Sequence, residues 1–296
     1  MTARFDPFAA PGPRWYAIEA QRPFLDDLAA GVLDWLGEHP PETLSDAVIL
    51  LPNRRAARAF TAALTKQGGG RPILLPQVRP LGDLEEDEPP FAPGDIGLDL
   101  LPAISPLARR FEMARMVAAH DPRAAAAPLY ALEMADALGT FLDSCQIEEV
   151  PDMGLVADLG GADLAQHWID SAAFLAIAVE QWPRRLAELG LMDPAARRTA
   201  LLRRLAEAWD ARPPTQPLIV AGSTGTAPAA AAVIGAAARA PQGCVVLPGL
   251  DPDLTDKAWD AVYEQHPQGA LKRLLDRHGI ARDRVAVWGG RAGPAP

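Results

Sequence analysis

The sequence predicts an α/β protein in which a parallel sheet is interrupted by an all-α insertion. Short continuous apolar runs, at Val48-Ile49-Leu50-Leu51, Leu218-Ile219-Val220-Ala221 and Cys244-Val245-Val246-Leu247, have the character of strands buried on both faces. Segments with apolar residues at helical spacing alternate with these runs toward both ends of the chain. Between the two alternating regions, residues 105–212 read as helix throughout.

Residues 1–14 hold four prolines and glycines and are expected to form a mobile tail. They include Arg4 but no apolar stretch of the kind a secretory signal needs. Trp15-Tyr16-Ala17-Ile18 reads as the first strand. Leu25, Leu28, Ala29, Val32, Leu33 and Leu36 then recur at the spacing of an amphipathic helix. Ala47 to Pro52 is the second strand, and Asn53 can cap a helix running from Arg54 to Lys66. Gly68-Gly69-Gly70 ends that helix, and Pro72-Ile73-Leu74-Leu75-Pro76 reads as a third strand. Strands alternating with helices favour a parallel sheet. Residues 82–103, with Glu85-Glu86-Asp87-Glu88 and several prolines, read as a long surface loop.

In the helical stretch, Ser105-Pro106 pairs a capping residue with proline at the first helical position, opening a helix through His120. A second helix is expected from Pro128 to Ser144. A third is expected from Asp163 to Leu189, kinked at Pro183, and a fourth from Asp193-Pro194 to Arg212. The alternation resumes with the strand Pro217–Ala221, the turn Gly222–Thr226, a helix from Ala227 to Arg239, and the strand Cys244–Pro248. The expected organisation is a discontinuous α/β lobe over 15–104 and 213–288, a helical insertion over 105–212, and flexible ends at 1–14 and 289–296.

Of the 296 residues, 49% are hydrophobic and 22% charged, which suits a chain with a real core. No apolar run reaches the roughly 18–20 residues of a membrane helix. The expectation is a soluble cytoplasmic protein without a membrane partner. Cys145 and Cys244 lack any CxxC or Cys/His spacing, so they read as buried reduced thiols rather than metal ligands. The net charge of −10 argues against a protein that coats DNA by bulk attraction, but leaves room for a local basic strip.

The segment Ile18-Glu19-Ala20-Gln21-Arg22-Pro23 stands where an α/β nucleotide-binding domain would carry its phosphate loop. It has no glycine and no Lys-Ser/Thr pair, and Glu19 would repel a phosphate, which speaks against ATP hydrolysis there. Gly222-Ser223-Thr224-Gly225-Thr226 lies between a strand and a helix, where it can be a tight turn, a contact for a nucleic-acid backbone, or a nucleotide site. It lacks the lysine of a phosphate loop. Arg54, Arg55 and Arg58 open the helix after the second strand, and Arg54 and Arg58 share a face at i, i+4. Open α/β sheets bind ligands at strand carboxyl ends, so these arginines can meet phosphates; the alternative is a solvated face paired with acids. Arg197-Arg198 and Arg203-Arg204 read as a solvated helix face. Glu85–Glu88 diverge along a loop and do not form a metal site. The histidines form no HExxH or HxH cluster, and GxSxG is absent, so no catalytic residue is assigned.

Several blocks in order resemble the amino-terminal region of the AddB family, the double-strand-break repair subunits of alphaproteobacterial AddAB helicase–nucleases. These are Arg14–Ile18 with Arg22–Leu28, Val48–Ala56, Leu75–Asp83 followed by Glu85–Glu88, Val220–Thr226, Val245–Asp251, and His266-Pro267-Gln268 with Leu271–Leu275. The resemblance implies a superfamily-1 helicase-like lobe of degenerate phosphate-loop type, carrying a helical insertion. It further implies a non-catalytic part of a longer subunit that guides DNA ends and single-stranded DNA and docks an ATP-driven AddA-like partner. The family's iron–sulfur cluster and Mg-dependent nuclease would lie in a carboxyl-terminal part outside this chain, so no cofactor is expected here. The DNA-binding candidates are Arg54, Arg55, Arg58 and Gly222–Thr226. Two rival readings stay open: a structural protein-interaction module without DNA affinity, and an enzyme using a phosphorylated ligand at Gly222–Thr226.

Overall fold

The structure, a computed structural model, describes residues 5–37, 39–40, 42–69, 72–81, 96–97, 99–151 and 174–290. The chain divides into two compact units, residues 1–91 with 202–296, and residues 92–201.

The first unit is built on a six-stranded sheet whose strand pairings are all parallel. Its strands are β1 (Trp15–Ile18), β2 (Val48–Leu51), β3 (Gln77–Pro80), β4 (Leu218–Ala221), β5 (Gly243–Pro248) and β6 (Ala286–Val287), in the order β3-β2-β4-β5-β1-β6. β2 and β4 are buried at every position, as continuous apolar runs demand of central strands. The helices α1 (Phe24–Leu36) and α3 (Arg54–Gln67) cover one face, where Leu28, Val32, Phe60 and Leu64 pack on Tyr16, Ile49, Ile219 and Val246. Between them, α2 (Glu42–Asp46) leads into β2.

The other face holds α9 (Pro228–Arg239), which packs on β4 and β5. His278, just after α11 (Gly269–Arg277), stacks on Trp15 with ring centroids 5.6 Å apart and donates from Nε2 to the carbonyl of Ala231 at 2.9 Å. A short helix, α10 (Asp256–Asp260), sits between β5 and α11. Helices on both faces follow from right-handed crossovers, because the chain steps outward from β1 through β2 to β3 and then returns through β4 and β5 to β6.

The second unit is helical. It contains α4 (Pro106–His120), α5 (Pro122–Ala126), α6 (Pro128–Ile147), α7 (Trp182–Leu189) and the start of α8 (Pro194–Ala211). Ser105 Oγ accepts from Ala108 N at 3.3 Å and caps α4. Met113, Val117, Leu138, Leu142, Ile177 and Trp182 form its core.

Several expectations change. The run 72–76 is not a strand; pairing begins at Gln77, whose amide donates to Ala47 O at 2.9 Å. Pro72 and Pro76 have no amide hydrogen to give a ladder, and Leu74 and Leu75 are exposed. Residues 5–14, expected as part of a mobile tail, are anchored by aromatic packing. Phe5 lies edge-on to Trp288 at 4.9 Å and to Tyr16 at 5.6 Å, and Phe8 edge-on to Trp35 at 5.3 Å. The divisions between the units fall near 91 and 201 rather than at 104 and 212. Met192 donates to Pro102 O and accepts from Ile104, both at 2.9 Å, which ties the segment before α4 into the helical unit. Asp210, near the end of α8, pairs with Arg239 of the sheet unit at 2.6 Å. The second helix continues to Ile147. In the expected third helix, residues 163–173 lie outside the described residues. The irregularity there is a π-turn at Ile177–Gln181, with Trp182 N donating five residues back to Ile177 O, so that Pro183 stands in the first turn of α7. Most of the acidic loop, 82–95 and 98, and the end 291–296 also lie outside the described residues.

Candidate nucleic-acid interface

β2 and β4 are neighbours, and the chain leaves them in opposite directions, through α3 toward β3 and through α9 toward β5. Such a divergence opens a crevice at the carboxyl ends of the two strands. Pro52, Asn53 and Arg54 stand on one side and Gly222–Thr226 on the other. The two sides are close: a Cβ placed on Gly222 would lie 3.5 Å from Pro52 Cδ and 3.1 Å from Phe24 Cε1. The turns that carry the two sequence candidates, distant in the chain, therefore lie side by side at the carboxyl ends of β2 and β4.

Asn53 Oδ1 accepts from Ala56 N at 2.9 Å, fixing the first turn of α3. That turn carries Arg54, half-buried, and Arg55, exposed, and no acidic residue. Arg58 follows one turn on and is exposed. Arg55 and Arg58 make no ion pair among the described residues, so pairing with acids does not account for them. Cations at the positive end of a helix dipole are unfavourable by a few tenths of a kcal/mol each, and an anion there offsets the cost.

The facing turn is closed by its own bonds. Gly222 N donates to Val246 O at 2.9 Å, and Gly225 N donates to Ser223 Oγ at 3.3 Å. Gly222 and Gly225 take φ of 74° and 57°, a region that favours glycine. Gly225 is buried against Leu274 and Ile234; a Cβ there would come within 2.7 Å of Leu274. Its amide and α-carbon are thus committed inside the turn, which leaves Thr224 and Thr226 as the more open positions. Leu274 escaped the sequence reading as a support of this turn, although Leu271, Leu274 and Leu275 at helical spacing carry the signal.

β5 and β1 form a second divergence. Gly249 N donates to Ile18 O at 2.7 Å, and Ala20 fills the space against Gly249. Arg22 is hydrogen-bonded to Asp27, and Glu19 accepts from Gln21 Nε2 at 2.6 Å. The turn after β1 thus has neither the open glycine backbone nor the free cation of a phosphate loop. Gln268 braces the turn after β5, donating to Gly249 O at 2.9 Å and accepting from Asp251 N at 3.1 Å.

The other basic stretch takes separate roles. Arg197 Nε donates to Leu101 O at 3.1 Å in the helical unit, whereas Arg203 and Arg204 belong to the sheet unit. Cys145 and Cys244 are free thiols, both buried, and burial pushes each thiol pKa up. Among the described residues, no group of three or more His, Cys, Asp or Glu is placed to hold a metal ion. No described helix is long and apolar enough to cross a membrane.

Fold and site define an α/β protein with an all-parallel six-stranded sheet and a separate helical unit. No family model matches the chain, and no curated protein matches it.

Proposed function

We propose that the chain is a non-catalytic, helicase-like module of a DNA double-strand-break repair complex of AddAB type. It guides a separated DNA strand and docks an ATP-driven AddA-like partner. The observation that carries this reading is the placement of Arg54, Arg55 and Arg58 in the first turns of α3, which follows the carboxyl end of β2 beside that of β4. Backbone phosphates are anions of the right kind for such a cationic helix start, and phosphate contacts need no base-specific geometry. The turn after β1 supports the non-catalytic part: Glu19 stands where a phosphate loop would need backbone amides, and Arg22 is engaged with Asp27. The ordered sequence blocks that resemble the AddB family agree with both.

The test is binding of the full chain to a fluorescent single-stranded oligonucleotide, with and without ATP. The reading expects binding without ATP, no DNA-stimulated hydrolysis, and weaker binding in Arg54→Ala/Arg55→Ala. Undiminished binding in that double variant removes these residues from the interface, and absence of binding at any salt overturns the DNA-guiding role.

A further inference from the structure

A cavity of about 510 Å³ opens beside the carboxyl ends of β1 and β6. Its apolar lining includes Ala17, Leu250 and Val285, with the Trp259 ring among its walls. Glu19, Asp256, Asp260 and Asp283 also line it, and among the described residues Arg282 is its one lining cation. Arg282 is already engaged. Its Nη2 pairs with Asp256 at 3.1 Å, Nη1 donates to Asp251 O at 3.4 Å, and the guanidinium lies 5.4 Å from the centre of the Trp259 ring. The nearby Lys272 ammonium is likewise held, by the carbonyls of Trp259 and Asp260 at 2.9 and 3.0 Å. Glu19, Asp260 and Asp283 make no ion pair among the described residues.

An apolar lining whose rim carries four carboxylates against one guanidinium repels phosphates and carboxylates. It matches an arginine or lysine side chain, whose methylene stem covers apolar surface while its head meets carboxylates. The cavity adjoins β6, the last strand of the sheet, whose residues Ala286 and Val287 are both exposed. β6 pairs only with β1 among the described residues, so its outer side is the edge along which an extended peptide can lie.

We propose that this cavity and the β6 edge dock an extended basic segment of a partner protein, with an arginine or lysine side chain seated among Glu19, Asp260 and Asp283. This goes beyond the DNA reading and does not depend on it, because the interface is acidic, lies at the other divergence of the sheet, and is tested without nucleic acid.

The probe is fluorescein-labelled acetyl-Arg-Val-Arg-Val-Arg-amide, titrated with the full chain and followed by anisotropy at low and high salt. Two double variants carry the same charge change: Asp260→Lys/Asp283→Lys at the cavity, and Glu148→Lys/Glu207→Lys at exposed positions elsewhere. The expected result is salt-sensitive binding that falls about tenfold or more in the cavity variant and less than about twofold in the remote one. The peptide with glutamates in place of arginines is expected not to bind. No binding of the basic peptide, or an equal loss in both variants, overturns the proposal; the equal loss would mean attraction to bulk negative charge only.

Discussion

The indole N–H of Trp182 donates to Asp193 Oδ2 at 2.7 Å, and both side chains are buried. Asp193 is the buried charged residue that links α7 to the start of α8, and its other oxygen lies 3.1 Å from Arg109 Nη2. Burial pushes its carboxyl above the ordinary carboxylate value, while Arg109 and the Trp182 bond pull it back only in part. Between the ordinary carboxylate value and that raised value, the folded protein binds more proton at this site than the unfolded chain. Stability falls as pH rises from about 4 through the elevated value. Asp193→Asn should flatten that slope in urea unfolding series across acidic pH. Asp193→Ala leaves the buried Trp182 N–H without its acceptor, while Arg109 keeps Asp143 at 2.9 Å, and should cost about 1–3 kcal/mol; a change below about 0.5 kcal/mol would contradict this role.

Trp288 and Gly31 meet without room for a side chain between them. A Cβ at Gly31 would come within 2.3 Å of the indole nitrogen, which donates to Asp27 O at 3.1 Å. Gly31→Ala should therefore destabilise the sheet unit by about 1–3 kcal/mol through overpacking. Trp288→Ala should cost about 3–5 kcal/mol, because the ring also packs on Phe5 and Tyr16. Denaturant midpoints measure both.

Acid should weaken the sheet unit at His278. Burial, opposed by the bond to the Ala231 carbonyl, holds this imidazole below its ordinary value. The unfolded chain takes up a proton near pH 6.5 that the folded ring resists, so this contribution is complete above about pH 6.5 and is lost as pH falls below it. His278→Gln should remove that part of the pH dependence. An unchanged slope between wild type and variant would sink the assignment.

The Asn53 cap orients the arginine-bearing turn. Asn53→Ala should cost about 1 kcal/mol in stability and should weaken DNA binding without touching a charged residue. Retained DNA affinity alongside the stability loss would separate the cap from the interface.

How legible this molecule was in its sequence differs by element. Val48–Leu51, Leu218–Ala221 and Cys244–Pro248 read as buried strands because unbroken apolar runs have few other uses. The 72–76 run misled for the same reason: its leucines fit a strand pattern, but flanking prolines deny it a ladder and the pairing starts one residue later. The two-residue β6 carries too little pattern to be seen, although Trp288 after it is a core residue. Phe5 and Phe8 were hidden by the proline and glycine around them. The nearness of Pro52 to Gly222 was out of reach of local pattern, because it depends on the pairing of β2 with β4 across more than a hundred residues of intervening chain. The closure of Gly225 over Leu274 is likewise a packing fact, without a signature in the turn itself.

The most direct test of the central claim is the salt dependence of single-stranded DNA affinity for the full chain and for Arg54→Ala/Arg55→Ala/Arg58→Ala. If α3 meets backbone phosphates, log affinity falls linearly with log salt in the wild type, and the slope of the triple variant is shallower by about 0.7 for each phosphate that its arginines no longer neutralise. Parallel lines for the two proteins, or a wild type with no affinity at low salt, would contradict the account.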